Sequence, residues 1–105
     1  MTTLPGTWEL TMKTPIGSIR ADMTFTDSAG VLSGVAAGAG ETVPLQDVSA
    51  AEVAGGERIT WRQSIRKPMR LNLDFDVVIT GDAMQGYSRA GRLPRSAVTG
   101  TRRTQ

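Results

Sequence analysis

Residues 69–77 read Met-Arg-Leu-Asn-Leu-Asp-Phe-Asp-Val, an unbroken alternation of apolar and polar side chains. Successive side chains of a β-strand point to opposite faces, so this pattern is typical of a strand with one buried face. The same alternation predicts strands at Trp8–Lys13, Ile19–Phe25 and Ile59–Ile65, the last with Gln63 as a polar inward residue. No stretch favours the 3.6-residue period of a helix. The sequence therefore predicts an all-β protein.

Turn-forming glycines and prolines separate these runs at nearly regular intervals. They divide the chain into eight predicted strands, near residues 6–13, 17–26, 30–37, 42–50, 57–66, 69–80, 83–90 and 94–103. The segment Asp47-Val48-Ser49 breaks the alternation and predicts a bulge. Short antiparallel strands in chain order are typical of an eight-stranded up-and-down β-barrel or of a sandwich. We expect the barrel, as one domain over residues 1–105.

A faint internal repeat accompanies the strand pattern. Residues 7–16 align with residues 60–69, so that Trp8 corresponds to Trp61. One interpretation is a duplication, in which two four-strand halves bury their apolar faces against each other and leave no free sheet edges. The other is chance similarity, since the identities are few.

Composition excludes several kinds of site. The 105 residues contain no cysteine and no histidine, which rules out disulfides, thiolate or imidazole metal ligands and a Ser-His-Asp triad. The net charge is +2 and aromatic residues make up 5% of the chain, so the late arginines lack the stacking partners of a nucleic-acid platform. We expect no cofactor and no nucleic-acid partner.

The cellular setting is inferred from what the chain does not carry. No apolar run approaches the ~20 residues that span a bilayer. Residues 1–5 have neither the basic nor the apolar region of a secretory signal. We therefore expect a cytoplasmic protein without a membrane span, with a mature secreted chain as the alternative.

Both ends of the chain carry motifs of a known superfamily. Gly6-Thr7-Trp8 opens the first strand and Thr99-Gly100-Thr101-Arg102 closes the last one. This arrangement resembles the calycin superfamily of small-ligand barrels, and the short eight-strand layout is most similar to its avidin branch. The resemblance implies a barrel in which Trp8 packs at the closed end beneath Arg102, a cation over an aromatic face.

The sequence also departs from that superfamily. Leu10 and Ala36 stand where the avidin pattern has a polar and an aromatic ligand contact, and tryptophans late in the chain are missing. Compared with lipocalins, the chain is short and lacks a C-terminal helix and disulfides. The resemblance therefore implies a lipocalin-like or avidin-like barrel but no biotin site.

Strand direction predicts where a ligand would enter such a barrel. The turns at residues 13–17, 38–41, 66–69 and 89–93 meet at one end, here called the mouth end, while both tryptophans lie near the opposite end and plug it. Small inward residues on the third and seventh strands either hollow out the mouth end or let the strands pack closely; they are Gly34, Ala36, Gly38, Gly86, Ser88 and Ala90. We expect a hydrophobic cavity there, with a filled core as the alternative.

The candidate ligand-binding residues combine adaptable apolar walls with two polar groups. Methionine side chains suit a flexible pocket wall, and Gln63 and Ser88 would orient a ligand, unless each is a core residue bonded to backbone or water. The full set is Met12, Ala36, Gln63, Ile65, Met69, Met84, Ser88 and Arg92.

Charge at the mouth end indicates the kind of ligand. Cationic side chains border its turns, namely Lys13, Arg66, Lys67, Arg70, Arg89 and Arg92. Such a rim would attract an amphipathic anion such as a carboxylate, unless these are simply solvated loop residues. Asn72, Asp74 and Asp76 on the outer face would sooner pair with Arg20, Arg62 or Arg89 than bind a metal ion.

Three functions remain open. The first is a binding barrel that holds a small apolar or amphipathic anionic molecule in its interior. The second is a cofactor-independent cyclase or isomerase that shapes its substrate in the same cavity, as the resemblance to related barrels implies, with no catalytic residue assigned. The third is a non-catalytic oligomerisation module, a homo-oligomer that associates through exposed apolar residues such as Val35, Val78 and Tyr87.

Overall fold

The chain folds into antiparallel β-strands joined by short turns, and the computed structural model describes it over residues 2–14, 17–38, 40–66 and 70–103. Within these ranges there are nine strands: β1 (Gly6–Thr14), β2 (Gly17–Ser28), β3 (Val31–Gly38), β4 (Glu41–Pro44), β5 (Gln46–Val53), β6 (Gly56–Ile65), β7 (Leu71–Thr80), β8 (Ala83–Arg89) and β9 (Ser96–Arg102). All belong to one sheet in which each neighbouring pair is antiparallel. The predicted all-β, up-and-down architecture is confirmed.

The sheet curls into a nearly closed barrel. Its strand order is β4-β3-β2-β1-β9-β8-β7-β6-β5, so the first and last strands of the chain pair in the middle of the order, from Trp8↔Arg102 to Lys13↔Ala97. The strands at the two edges, β4 and β5, follow each other in the sequence and meet at Leu45. Among the described residues no hydrogen-bonded ladder joins β4 to β5 or to β6. The barrel wall therefore has an open seam along β4.

The predicted count of eight strands is wrong because the expected strand 42–50 divides at Leu45. The Leu45 amide donates a 2.8 Å hydrogen bond to the Gly34 carbonyl of β3, and its side chain is buried. Beyond it the chain joins β6 instead, with a register shift between Gln46 and Ser49 and a positive φ of 53° at Asp47. The predicted bulge is thus confirmed, and it turns the chain from one edge of the sheet to the other.

The interior is packed by the inward side chains that the alternation predicts. Trp61 lies at its centre, stacked on Phe75 with ring centroids 4.7 Å apart and edge-on to Phe25 at 5.3 Å. These rings belong to one cluster of buried residues that also contains Met23, Ile59, Val77 and Val98. Aromatic rings in this arrangement contribute dispersion and electrostatic attraction beyond the area that they bury.

The closed end is covered by the segment that precedes β1. Leu4 is fully buried, and its carbonyl accepts a 2.9 Å hydrogen bond from Trp8 Nε1. Trp61 does not share this position, because β6 begins at Gly56 and places Trp61 sixth among its ten residues. The expected plug of two indoles is therefore replaced by Trp8 and Leu4, with Trp61 inside the barrel.

Candidate ligand-binding site

A small cavity lies at the mouth end, where β1, β3 and β6 end and β2, β4 and β7 begin. Its volume is about 40 Å³. It is lined by Met12, Ile19, Arg20, Ala21, Met23, Ala36, Gly38, Glu41, Val43, Gln63, Ile65, Leu73 and Phe75. Since small-molecule pockets measure roughly 300–1,000 Å³, the cavity holds at most the end of a ligand unless its walls move.

Close strand packing explains why the interior is not more hollow. A Cβ added at Gly38 would lie 2.7 Å from the Arg20 carbonyl oxygen, and one at Gly34 would lie 2.9 Å from Leu45 Cδ1. At Gly86 it would lie 2.1 Å from the Asp76 carbonyl oxygen. These glycines therefore let neighbouring strands and side chains approach rather than leave space empty. The cavity that the small residues predict is therefore limited to the region around Ala21 and Ala36.

Gln63 gives the cavity its one fully inward polar group in the described part of the chain. Only 5% of the residue is exposed, and its Oε1 accepts a 3.0 Å hydrogen bond from Trp61 Nε1. Because an indole N–H can only donate, the Gln63 oxygen must face Trp61 and the amide nitrogen must point away from it. No described residue accepts a hydrogen bond from this nitrogen. The site thus presents two unpaired donors in apolar surroundings.

The other predicted ligand contacts are divided between the cavity and other places. Met12, Ala36, Gln63 and Ile65 come together in its wall. Met84 does not, because it pairs with Ile79 and Gly100 in the half of the barrel that contains Trp8. Ser88 and Arg92 also lie outside the lining, and Met69 falls outside the described residues.

Ser88 is buried but does not reach the cavity. It lies opposite Phe75 and Ser96 in the register and is 1% exposed. Its hydroxyl is the one buried side-chain polar atom in the described ranges that lacks a hydrogen-bond partner. A buried hydroxyl without a partner costs free energy, and Ser88 does not line the cavity at the mouth end.

Sequence reasoning missed the lining residues that flank the seam. Glu41 and Val43 belong to the short strand β4, and Arg20 reaches the cavity from β2. Glu41 Oε1 accepts a 2.9 Å hydrogen bond from the Arg66 amide at the end of β6. The alternation marks Val43 as inward, but no sequence signal shows that the barrel opens beside it.

Charge around the mouth end is positive and largely unpaired. Lys13, Arg66, Arg70 and Arg92 form none of the ion pairs found among the described residues, and Lys67 lies outside those residues. The Arg89 Nε donates to the Leu93 carbonyl at 3.4 Å. These guanidinium and ammonium groups therefore remain available to an anion.

The acidic residues of β7 are engaged on the outer face of the barrel. Asp74 pairs with Arg62 at 3.1 Å, as predicted, while Asp76 pairs with Arg58 in a two-bond contact. The hydrogen bonds from Arg58 hold the pKa of Asp76 below its ordinary value. No cluster of three or more potential metal-ligating side chains occurs in residues 2–14, 17–38, 40–66 and 70–103.

Trp8 and Arg102 are in contact at the closed end. The Arg102 guanidinium carbon lies 4.3 Å from the centre of the indole ring. The same guanidinium donates to the Thr3 and Pro5 carbonyls at 2.7 and 3.2 Å and pairs with Asp82 at 3.0 Å. Arg102 therefore joins the first strand, the last strand and the N-terminal segment.

Comparison of the chain with family models, with curated proteins and with solved structures finds no match in any of the three. Among the residues described, no helix is long and apolar enough to cross a membrane.

Proposed function

We propose that the barrel binds a small amphipathic molecule, an anion with an apolar body, whose inner end enters the cavity at the mouth end. The observation that carries the proposal is the inward Gln63 side chain in the apolar cavity wall: its oxygen is held by Trp61, and its amide nitrogen has no acceptor among the described residues. A ligand oxygen that accepts from this nitrogen would gain the net free energy of one hydrogen bond, about 0.5–1.5 kcal/mol.

The lining supports the chemical class of the ligand. Side chains of Met12, Ile19, Val43, Ile65 and Leu73 offer an apolar surface around the Gln63 amide. An uncharged acceptor, such as a carbonyl or hydroxyl oxygen, fits the amide donors. A carboxylate at the outer end would meet the unpaired cations of the rim.

Kinship with calycin barrels is a further part of the proposal. The contact between Trp8 and Arg102 at the closed end and the up-and-down antiparallel wall support it. The open seam and the ninth strand are departures from that pattern. An avidin-type ligand site has no support in the lining residues.

Binding is tested by thermal unfolding with three probes: sodium decanoate, sodium 9-oxodecanoate and 1-decanol. At about five times Kd a ligand adds about 1 kcal/mol of stability, which raises the melting temperature of a small domain by about 4–8 °C. We expect the oxo-acid to give the largest shift and the alcohol the smallest. No shift with any of a broad set of carboxylates would refute the proposal.

A second candidate function is the oligomerisation module. The filled interior favours it, since the cavity occupies only about 40 Å³, and Val35 and Tyr87 are exposed on the outer face. Light scattering separates the two functions: a stable oligomer without any ligand response selects the module, and a monomer that responds to carboxylates selects the binding barrel.

A further inference from the structure

The seam is a cleft on the outer surface of the barrel. It measures about 310 Å³ and is lined on one side by β4 and on the other by Ser64 and Arg66 at the end of β6. On the opposite side of the barrel β1 and β9 pair residue by residue. Between β4 and β6 no such pairing occurs within the described ranges.

The cleft and the interior cavity share a wall. Glu41 and Val43 line both spaces, and both belong to β4. The strand therefore stands between the outside of the barrel and the Gln63 amide. If it moved outward, the spaces of about 40 and about 310 Å³ would join into one pocket within the usual range for small-molecule sites.

The attachment of β4 is weak for a barrel strand. It has four residues and pairs only with β3 in the described part of the sheet. Successive backbone N–H groups of a strand point to opposite sides, and the Leu45 amide bonds to β3, so the backbone nitrogen of Pro44 faces the seam. Because proline has no N–H, this position cannot donate a hydrogen bond across the seam. Across the seam the Arg66 amide donates a hydrogen bond to Glu41, and no other hydrogen bond joins β4 to β6 among the described residues.

We propose that β4 is a flap that moves outward to admit the ligand, and that the hydrogen bond from the Arg66 amide to the Glu41 carboxylate holds it closed. The occupant rests on the proposed function: an elongated carboxylate whose inner acceptor meets Gln63 and whose carboxylate lies in the cleft beside Arg66. Thr42, Gln46 and Ser64 offer further hydrogen-bonding groups along the cleft. Such a ligand replaces the Glu41 carboxylate as the acceptor at the end of β6.

The first test closes the seam covalently. Thr42 and Ser64 are exposed on opposite walls of the cleft, and the natural chain has no cysteine to interfere. In the T42C/S64C variant, disulfide formation should slow association of 9-oxodecanoate, followed by stopped-flow tryptophan fluorescence, by more than about tenfold, and reduction should restore it.

A matched control closes the side of the barrel that is already paired. Thr11 and Thr99 are cross-strand partners on β1 and β9. In T11C/T99C, oxidation should leave the association rate unchanged. Equal rates for oxidised and reduced T42C/S64C would overturn the seam route, while leaving the proposed function intact.

The second test needs no ligand. Glu41→Ala removes the acceptor, whereas Glu41→Gln keeps an oxygen that can accept from the Arg66 amide. Amide hydrogen exchange in β4 should become about two- to tenfold faster in E41A, the factor expected for one hydrogen bond, and stay near the native rate in E41Q. If no probe binds the native protein, the proposed function fails, and the flap is judged by exchange alone: protection of β4 equal to that of β1 would overturn it.

Discussion

The indole Nε1 of Trp61 donates a 3.0 Å hydrogen bond to the side-chain oxygen of Gln63, two residues further along β6 on the same inward face. This contact fixes the orientation of the Gln63 amide, because the indole can only donate. It thereby directs the amide nitrogen into the cavity. One local hydrogen bond thus connects the aromatic centre of the core with the polar group of the proposed site.

Removing either partner of this bond should have different effects on ligand binding. Gln63→Leu removes the amide donors and leaves Trp61 Nε1 without its acceptor, while Trp61→Phe keeps the donors and removes the indole N–H together with part of the buried ring that stacks on Phe75. We expect Q63L to lose about 1–3 kcal/mol of stability and W61F to lose more, because W61F also leaves a cavity in the core; the double variant should lose less than the sum. Urea unfolding of the native protein, the two single variants and the double variant gives the coupling energy between the two side chains.

Ligand binding separates the roles of the two residues. Calorimetry with 9-oxodecanoate should show binding lost in Q63L and retained in W61F; the reverse order would contradict the assignment.

The unpaired Ser88 hydroxyl should be dispensable. Ser88→Ala removes a buried polar group that has no described partner and leaves the fold otherwise unchanged. We expect a stability change within about 0.5 kcal/mol or a gain of up to about 1 kcal/mol, with ligand binding unaffected. A loss above about 1 kcal/mol in urea unfolding would mean that the hydroxyl is bonded, for example to an internal water.

Arg102 should stabilise the closed end far more than its neighbour Arg103. Arg102→Lys keeps the charge but cannot reproduce the donors to Thr3, Pro5 and Asp82, and we expect a loss of about 1.5–3 kcal/mol. Arg103→Lys is the control, because Arg103 pairs with Glu9 and Asp22 on the exposed face, where such pairs contribute about 0–1 kcal/mol. Equal losses in chemical denaturation would contradict the anchoring role.

Close strand approach should make Gly86 intolerant of any side chain. A Cβ there would lie 2.1 Å from the Asp76 carbonyl oxygen and 2.6 Å from Val77 Cα, both backbone atoms. Gly86→Ala should therefore cost about 1–3 kcal/mol or more. Gly100→Ala is the matched control, since its nearest neighbour is the flexible Leu10 side chain at 3.1 Å. Thermal unfolding of both variants checks the order, and a more damaging G100A would refute it.

Acid should loosen the N-terminal segment through Glu57. Burial acts to raise the pKa of Glu57, but the hydrogen bonds from the Thr3 hydroxyl and amide outweigh it and hold the pKa below its ordinary value of 4.5. A carboxyl with a lowered folded-state pKa stabilises the fold fully above its ordinary pKa and loses that contribution as pH falls through the folded value. Melting temperatures of native protein and E57Q should therefore converge in acid.

The partner side chain gives an independent check on this pH dependence. Thr3→Val removes the hydroxyl donor and keeps the amide donor, so it should reproduce part of the E57Q effect near neutral pH. A constant difference between native protein and E57Q from about pH 6 to about pH 3 would exclude Glu57 as the group responsible.

Much of the core could be predicted from alternation alone. Leu73, Phe75 and Val77 are buried and Asn72 and Asp74 are exposed, as the pattern of residues 69–77 indicates. The contact between Trp8 and Arg102 joins two motifs at opposite ends of the chain, and the resemblance was the signal for it. In contrast, Leu4 was missed as the cover of the closed end, because one apolar residue outside a periodic run carries no signal.

The cavity could be predicted only in part. Met12, Ala36, Gln63 and Ile65 follow from inward parity and strand direction, but Met84 does not, because parity gives the face of a strand and not the height along the barrel. The small residues were ambiguous for the same reason. Whether a glycine leaves a hole or admits a neighbour depends on the distance to another strand.

The sequence by itself determined which side chains face inward, because a pleated strand alternates strictly with residue number. Only the tertiary structure decided where the wall stays open and how much space remains inside. Both depend on how the β4 and β5 edges meet after the sheet has curled, and that meeting is governed by contacts between residues far apart in the chain, such as Glu41 with Arg66 and Leu45 with Gly34.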